Sequence, residues 1–261
     1  VRLSVHEFKP EVPAADKPEV VLIHGTGADG TLWGPQVDAL VAEGYRCLVP
    51  ELRGHGMTHE PEEATSINVH IEDLLETLAA HNVTYPAIWI GHSLGAIILL
   101  QMVKQRPELF VEILAIGLPG KVPSLIVSIF RRFLGTPFEK LRGTVWQKKL
   151  PIRHQILIDT ERHSLEQIVE NFATINLVDQ EHSLPCPIHF SVGRFDVVAP
   201  YIYAEKIHRA IPNSTFKIFE FAGHSCMDDQ PQQFNDWLIE KVRGASRSRQ
   251  KSVSSSSSKL N

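Results

Sequence analysis

Three cysteines in 261 residues, Cys47, Cys186 and Cys226, are too few, odd in number and too far apart for a disulfide framework, and their spacing suits no metal. They are expected as reduced thiols of a reducing compartment. Long apolar runs are equally scarce. Nothing approaches the roughly 18 to 20 residues needed to span a bilayer, and Ala87 to Ile90 and Ile97 to Leu100 suit a buried strand and a helix face instead. No excess of one charge is present either: 26 basic and 30 acidic residues leave −4, which gives no global attraction to nucleic acid. Val1 to Lys9 alternates polar and apolar residues without the apolar core of a secretory signal, so a cytoplasmic protein is expected. At 43% apolar and 21% charged, the composition argues against both disorder and a membrane protein. The length fits one α/β domain carrying an insertion.

What is present is an alternation. Short runs rich in Val, Ile and Leu, at Val20 to His24, Arg46 to Pro50, Ala87 to Gly91, Glu112 to Gly117, Ile188 to Gly193 and Thr215 to Phe221, read as strands. Stretches of helical period lie between them, at Gln36 to Glu43, Ser66 to His81, Leu94 to Gln105, Tyr201 to Ile211 and Pro231 to Val242. This pattern predicts a mostly parallel central sheet flanked by helices, with Arg2 to Phe8 as an antiparallel edge strand. The rhythm breaks between Pro119 and Pro185, which holds amphipathic stretches and no convincing strand. The predicted organisation is therefore a core over 1–118 and 186–243, a helical insertion over 119–185, and a Ser-rich basic tail over 244–261 that cannot bury enough apolar area to order itself. From Lys121 to Arg153 the insertion carries eight basic residues against one acid, Glu139, in a chain of net negative charge.

The strongest motif is Gly91-His92-Ser93-Leu94-Gly95, set between an apolar run and a helical one. A strand turning sharply into a helix strains its central residue, and glycines two places to either side remove side chains that would collide. Ser93 would stand at the tip as a nucleophile, with the N–H of Leu94 aimed at a developing oxyanion. The competing explanation is a serine that merely caps the helix. A second motif, His24-Gly25-Thr26-Gly27, follows the first strongly apolar strand, and the N–H of Thr26, or else of Gly27, would be the second oxyanion donor. A serine needs a base and an orienting acid. Asp196 in Gly193-Arg194-Phe195-Asp196 and His224 in Gly223-His224-Ser225 each follow a predicted strand, in the chain order Ser, Asp, His. Asp196 could instead cap a turn, with Asp228, Asp229 or Asp159 as substitutes. His24 and His92 are further candidates for the substrate pocket.

Taken together, the HGTG loop, the Glu51-Leu52-Arg53-Gly54-His55-Gly56 turn, the GHSLG elbow, GRFD and AGHS resemble the landmarks of the α/β-hydrolase superfamily over roughly Val20 to Val242. Two departures stand out: Glu51 where the turn usually begins with Asp, and Ala96 where a Gly often follows the elbow. The resemblance implies a serine esterase or thioesterase that forms an acyl-enzyme on a small-molecule acyl ester or thioester, with no metal and no organic cofactor. It also implies that 119–185 is a cap whose apolar residues, Phe130 and Trp146 among them, line an acyl pocket. A carbon–carbon bond hydrolase, another cofactor-free Ser-His-Asp enzyme, or a receptor with little turnover are the alternatives the same motifs allow. The basic stretch suggests docking to an acidic acyl carrier protein or an anionic surface, against the plainer reading of a solvated face.

Overall fold

The computed structural model describes residues 1–12, 17–58, 65–122, 124–133, 140–150, 152–178 and 184–257. Among them seven strands form one sheet: β1 (Val5–Phe8), β2 (Val20–Ile23), β3 (Cys47–Pro50), β4 (Ala87–His92), β5 (Phe110–Ile116), β6 (Ile188–Gly193) and β7 (Ser214–Phe219). Their spatial order is β1-β3-β2-β4-β5-β6-β7. Only β1 runs antiparallel, pairing Val5 with Pro50 and Phe8 with Cys47, while the remaining pairs are parallel.

Helices α1 (Gly34–Ala42), α2 (Ile67–Ala80), α3 (Leu94–Gln105), α7 (Tyr201–Ala210) and α9 (Pro231–Ser257) belong to this scaffold, as does the short α8 (Cys226–Asp229). Between β5 and β6 lie α4 (Ser124–Phe133), α5 (Ile152–Asp159) and α6 (Arg162–Thr174). The predicted insertion thus contains helices and no strand of the sheet among its described residues. Among those residues Lys121 and Asn176 form an isolated antiparallel bridge.

The two-residue period of the strands sorts their side chains onto opposite faces. Val21, Ile23, Leu48, Trp89, Ile113 and Ala115 point to one face and pack with α2 and α3. Val20, Leu22, Val49, Ile88, Ile90 and Leu114 point to the other and pack with α1 and α9 through Phe234, Trp237 and Leu238. Both faces are covered, which is why these strands read as unbroken apolar runs and not as alternating ones.

At the carboxyl end the tail departs from expectation. Helix α9 continues past Val242 to Ser257, and Ala245 and Ser246 are buried. The phenol of Tyr45 is buried against the helix and needs a partner; Ser246 Oγ supplies one at 2.8 Å. The change in composition at 244 therefore does not mark the end of order. Residues 258–261 lie outside the described set.

The sheet order reverses beside β2: the chain leaves it outward to β3, then returns to pair β4 on its other edge. Crevices at the carboxyl ends of strands where the order reverses are the usual ligand sites of open α/β sheets. Here the crevice lies between the loop after β2, which carries His24 to Gly27, and the turn after β4, which carries Ser93.

Candidate active site

Ser93 sits between β4 and α3 with φ 52° and ψ −110°, a backbone conformation that L-residues rarely adopt. The turn is possible because its neighbours lack side chains. A Cβ on Gly91 would come within 2.6 Å of the Gly95 backbone, and one on Gly95 within 2.4 Å of the Ile23 carbonyl oxygen. The N–H of Ser93 donates to Ile116 O at 2.9 Å, pinning the tip to the end of β5. Although Ser93 occupies the N-cap position of α3, its side chain makes no capping bond there. Ser66 at the head of α2 does cap, accepting from Val69 N at 3.3 Å. The hydroxyl of Ser93 is thus held out of the helix and free for other use.

His224 follows β7, and its Nδ1 lies 2.8 Å from Asp196 Oδ2. Since a carboxylate only accepts, Nδ1 carries the proton of this bond, and Nε2 is the ring nitrogen left for other partners. The other oxygen of Asp196 accepts from Val198 N at 2.9 Å and Ala199 N at 2.7 Å. Capping the turn and orienting the histidine are therefore simultaneous jobs of one buried carboxylate. The alternative acids are engaged elsewhere: Asp229 accepts from Gly223 N at 2.7 Å, Asp228 pairs with Arg153, and Asp159 accepts from Gln147 Nε2 at 2.7 Å. No hydrogen bond joins Ser93 to His224 among the described residues, yet both line the same cavities. Such bonds are often long before substrate binds.

His92, inside the elbow, donates from Nε2 to the carbonyl oxygen of His224 at 3.0 Å, and the two rings lie tilted by 50° with their centroids 4.7 Å apart. Burial, together with the neighbouring His224, holds the His92 imidazole well below its ordinary pKa, so it stays neutral. His92 lines a cavity of about 340 Å³ that Ser93 also lines, and it steadies the loop bearing His224.

The loop after β2 is braced by two histidines that exchange hydrogen bonds with it and with the loop after β3. His24 accepts at Nε2 from Leu52 N at 2.9 Å and turns Nδ1 to Gly25 O at 2.8 Å. His55 accepts at Nε2 from Gly27 N at 3.0 Å and turns Nδ1 to Arg53 O at 2.8 Å. Both imidazoles are fully used and neutral; burial and then the nearby His55 hold His24 down at about 3. His24 is therefore no pocket residue, contrary to the sequence reading, because both its nitrogens are spent on backbone and it is wholly buried. The same brace engages the N–H of Gly27, the group the sequence offered as the alternative to that of Thr26. Glu51, the departure from the usual Asp, is buried and reaches His6 Nε2 at 2.9 Å and Met57 N at 2.6 Å. Its extra methylene lets one carboxylate tie β1 to the turn after β3.

Two cavities meet at Ser93 and His224. The smaller, about 180 Å³, is apolar, and Val127 of α4, Leu157 of α5 and Leu165 and Val169 of α6 close it from the inserted segment. The larger, about 340 Å³, is more polar, with Asp29, Arg153 and His154 on its walls. Thr26, Leu157 and Val198 border both. Leu157 packs so tightly over Gly27, itself at φ 67°, that a Cβ there would fall 2.1 Å from Leu157 Cδ1. The sequence reading missed Val127, Leu157, Leu165 and Val169; the four-residue spacing of Leu165 and Val169 on one helix face was the available signal. Trp146, which it did choose, is 64% exposed and touches neither cavity. The side chain of Phe130 lies outside the described residues.

Comparison with known proteins agrees with this architecture. The model of the alpha/beta hydrolase family matches residues 20–237. An uncharacterized protein of Mycobacterium tuberculosis is 27% identical over 275 residues, covering 91% of this chain and 79% of that protein. A thermophilic esterase from Thermogutta terrifontis superimposes with TM-score 0.76 at 20% identity, covering 93% of each chain. The bromoperoxidase of Bacillus anthracis does so with TM-score 0.79 at 18% identity, covering 92% of this chain and 96% of its own. At these structural identities the likeness is one of fold. With more than half its length matched by the family model, the chain belongs to the alpha/beta hydrolase family.

Proposed function

We propose that the protein is a serine hydrolase that cleaves a carboxylic ester or thioester through an acyl-enzyme. The observation that carries the reading is the 2.8 Å contact of His224 Nδ1 with Asp196, at the wall of a cavity shared with a strained, uncapped Ser93. In the proposed cycle His224 Nε2 takes the proton of Ser93 Oγ as that oxygen bonds to the substrate carbonyl carbon. The negative charge formed on the carbonyl oxygen is held by the N–H groups of Thr26 and Leu94. Asp196 fixes the tautomer of His224 and stabilises its cation. The imidazolium then gives its proton to the departing alcohol or thiol, and water, deprotonated by the same nitrogen, releases the acid and restores Ser93.

The inserted segment serves in this reading as a cap. Its apolar cavity takes the acyl group, and the more polar one takes the leaving group, with Leu157 between them. Branched, aliphatic walls suit an uncharged acyl chain, since a charge there would lose its hydration without a partner.

The test is labelling by a fluorophosphonate, which reports an activated serine whatever the natural substrate, followed by turnover of esters and thioesters of graded chain length. Labelling and turnover that vanish in Ser93→Ala support the proposal. Equal labelling of native protein and variant would sink it.

A further inference from the structure

We propose that residues 140–150 and the start of α5 seat the protein on an anionic lipid surface. The segment is built around one buried side chain. Gln147 accepts from Gly143 N at 2.7 Å and donates to Asp159 at 2.7 Å and to Gln155 O at 3.3 Å. Arg142 adds bonds to the carbonyl oxygens of Ile158 and Thr160, at 3.0 and 2.9 Å. So anchored, the loop turns its other side chains outward: Val145, Trp146 and Ile152 are 69, 64 and 66% exposed. Lys148 and Lys149 are exposed with them, and the ammonium of Lys149 lies 4.7 Å from the centre of the Trp146 ring. Among the described residues no carboxylate pairs with Lys148 or Lys149.

Holding an indole and two branched aliphatic side chains in water is unfavourable, and here a firmly bonded loop enforces it. The one environment that suits all five side chains is the headgroup region of a bilayer bearing negative charge. Indoles settle at that depth, aliphatic groups enter the acyl boundary, and lysines meet anionic headgroups. An acidic carrier protein would complement the lysines and leave the three apolar side chains unmatched, so the lipid surface is the better fit. The placement is also useful. Ile152 adjoins Arg153, which lines the larger cavity and is paired with Asp228 beside the His224 loop, so docking here would bring the mouth of the cavity to the lipid.

The protein carries its own probe. Trp33 and Trp89 are fully buried and Trp237 is 7% exposed, so emission open to iodide comes from Trp146. The full chain should lose iodide quenching and shift its emission to the blue on vesicles of phosphatidylglycerol with phosphatidylcholine. Neutral phosphatidylcholine vesicles should change neither. K148Q and K149Q should each lower the partition coefficient about fivefold, and raised salt should act in the same direction. Trp146→Phe should lose the optical signal and still sediment with anionic vesicles, which separates the probe from the binding. Emission that stays quenchable on anionic vesicles, or binding as tight to neutral ones, would overturn the proposal. Protection of Trp146 by an acidic acyl carrier protein and not by vesicles would overturn it too. These readouts involve no turnover, so they stand or fall separately from the hydrolase reading.

Discussion

Every residue of β2, β3 and β4 is buried, whereas between β5 and β6 Leu125, Val145, Trp146 and Ile152 stand exposed. Among the described residues of that second region, Val127, Leu165 and Val169 form a small buried cluster of their own. The sheet holds its geometry through interlocked packing on two faces, so any truncation there leaves a void. The inserted segment is joined to the core by Ile168 and Leu177, which enter the main apolar cluster, and by hydrogen bonds such as Asn171 Nδ2 to Thr65 O at 3.2 Å. The candidate site lies on the boundary. Ser93, Asp196 and His224 come from the ends of strands, and the apolar cavity walls Val127, Leu165 and Val169 come from the small buried cluster of the inserted segment.

The largest effect is expected where chemistry is removed without touching packing. Ser93→Ala should lower ester turnover by at least about 10⁴-fold while leaving the thermal midpoint unchanged or higher, since the strained turn stays and only a hydroxyl is lost. Kinetics and a thermal melt on the same preparation check both halves. Next comes packing itself: Trp89→Ala in β4 should cost about 3 to 5 kcal/mol, because it empties a closed site and frees the Leu109 carbonyl that the indole bonds at 2.9 Å. The same change at Trp146 should move stability by less than about 0.5 kcal/mol. Similar urea midpoints for the two variants would contradict the division drawn here.

Acid tests the core from another side. Burial lowers His24 to about 3 and His70 to about 4, so the folded state binds fewer protons than the unfolded one below the ordinary histidine value. Stability is thus undiminished above about pH 7 and falls as pH drops through 6.5, by about 2 kcal/mol per histidine at pH 5. Urea midpoints measured at pH 7.5 and 5 would reveal it, and a flat profile would show that these rings are not held neutral. The smallest effect is expected at Leu157. Leu157→Ala should open the apolar cavity into the polar one and shift the preferred acyl chain to longer members severalfold, with Ser93 labelling retained; an unchanged chain-length ranking would show that Leu157 sets no boundary.

Much of this was legible beforehand. The strand runs, the antiparallel edge strand and the helix after Ser93 fall within a few residues of their predicted places, because short apolar runs and helical periods report burial on two faces directly. The Ser and Asp motifs were legible for a related reason: at Gly91, Gly95 and Gly193 a Cβ would collide with backbone, so only glycine fits those turns. Other roles were hidden. His24 looked like a pocket residue since its motif says where the loop goes and not which way the ring points. Trp146 looked like a pocket wall because an aromatic in an amphipathic stretch carries no label for its side. Ser246 was assigned to a disordered tail, since composition cannot register one buried phenol waiting 201 residues away.

The sequence by itself determined the parallel sheet, the strained serine turn and the order of the residues that converge on it, for these depend on local period and on steric limits within a few residues. That the N–H of Gly27 goes to His55 follows from the approach of two loops 28 residues apart in the chain. Contacts across the fold also bring Asp196, and not its three neighbours in composition, to His224, and set Leu157 on the walls of both cavities. Those are choices among chemically equivalent groups, and what separates such groups is distance across the fold, which no local pattern encodes.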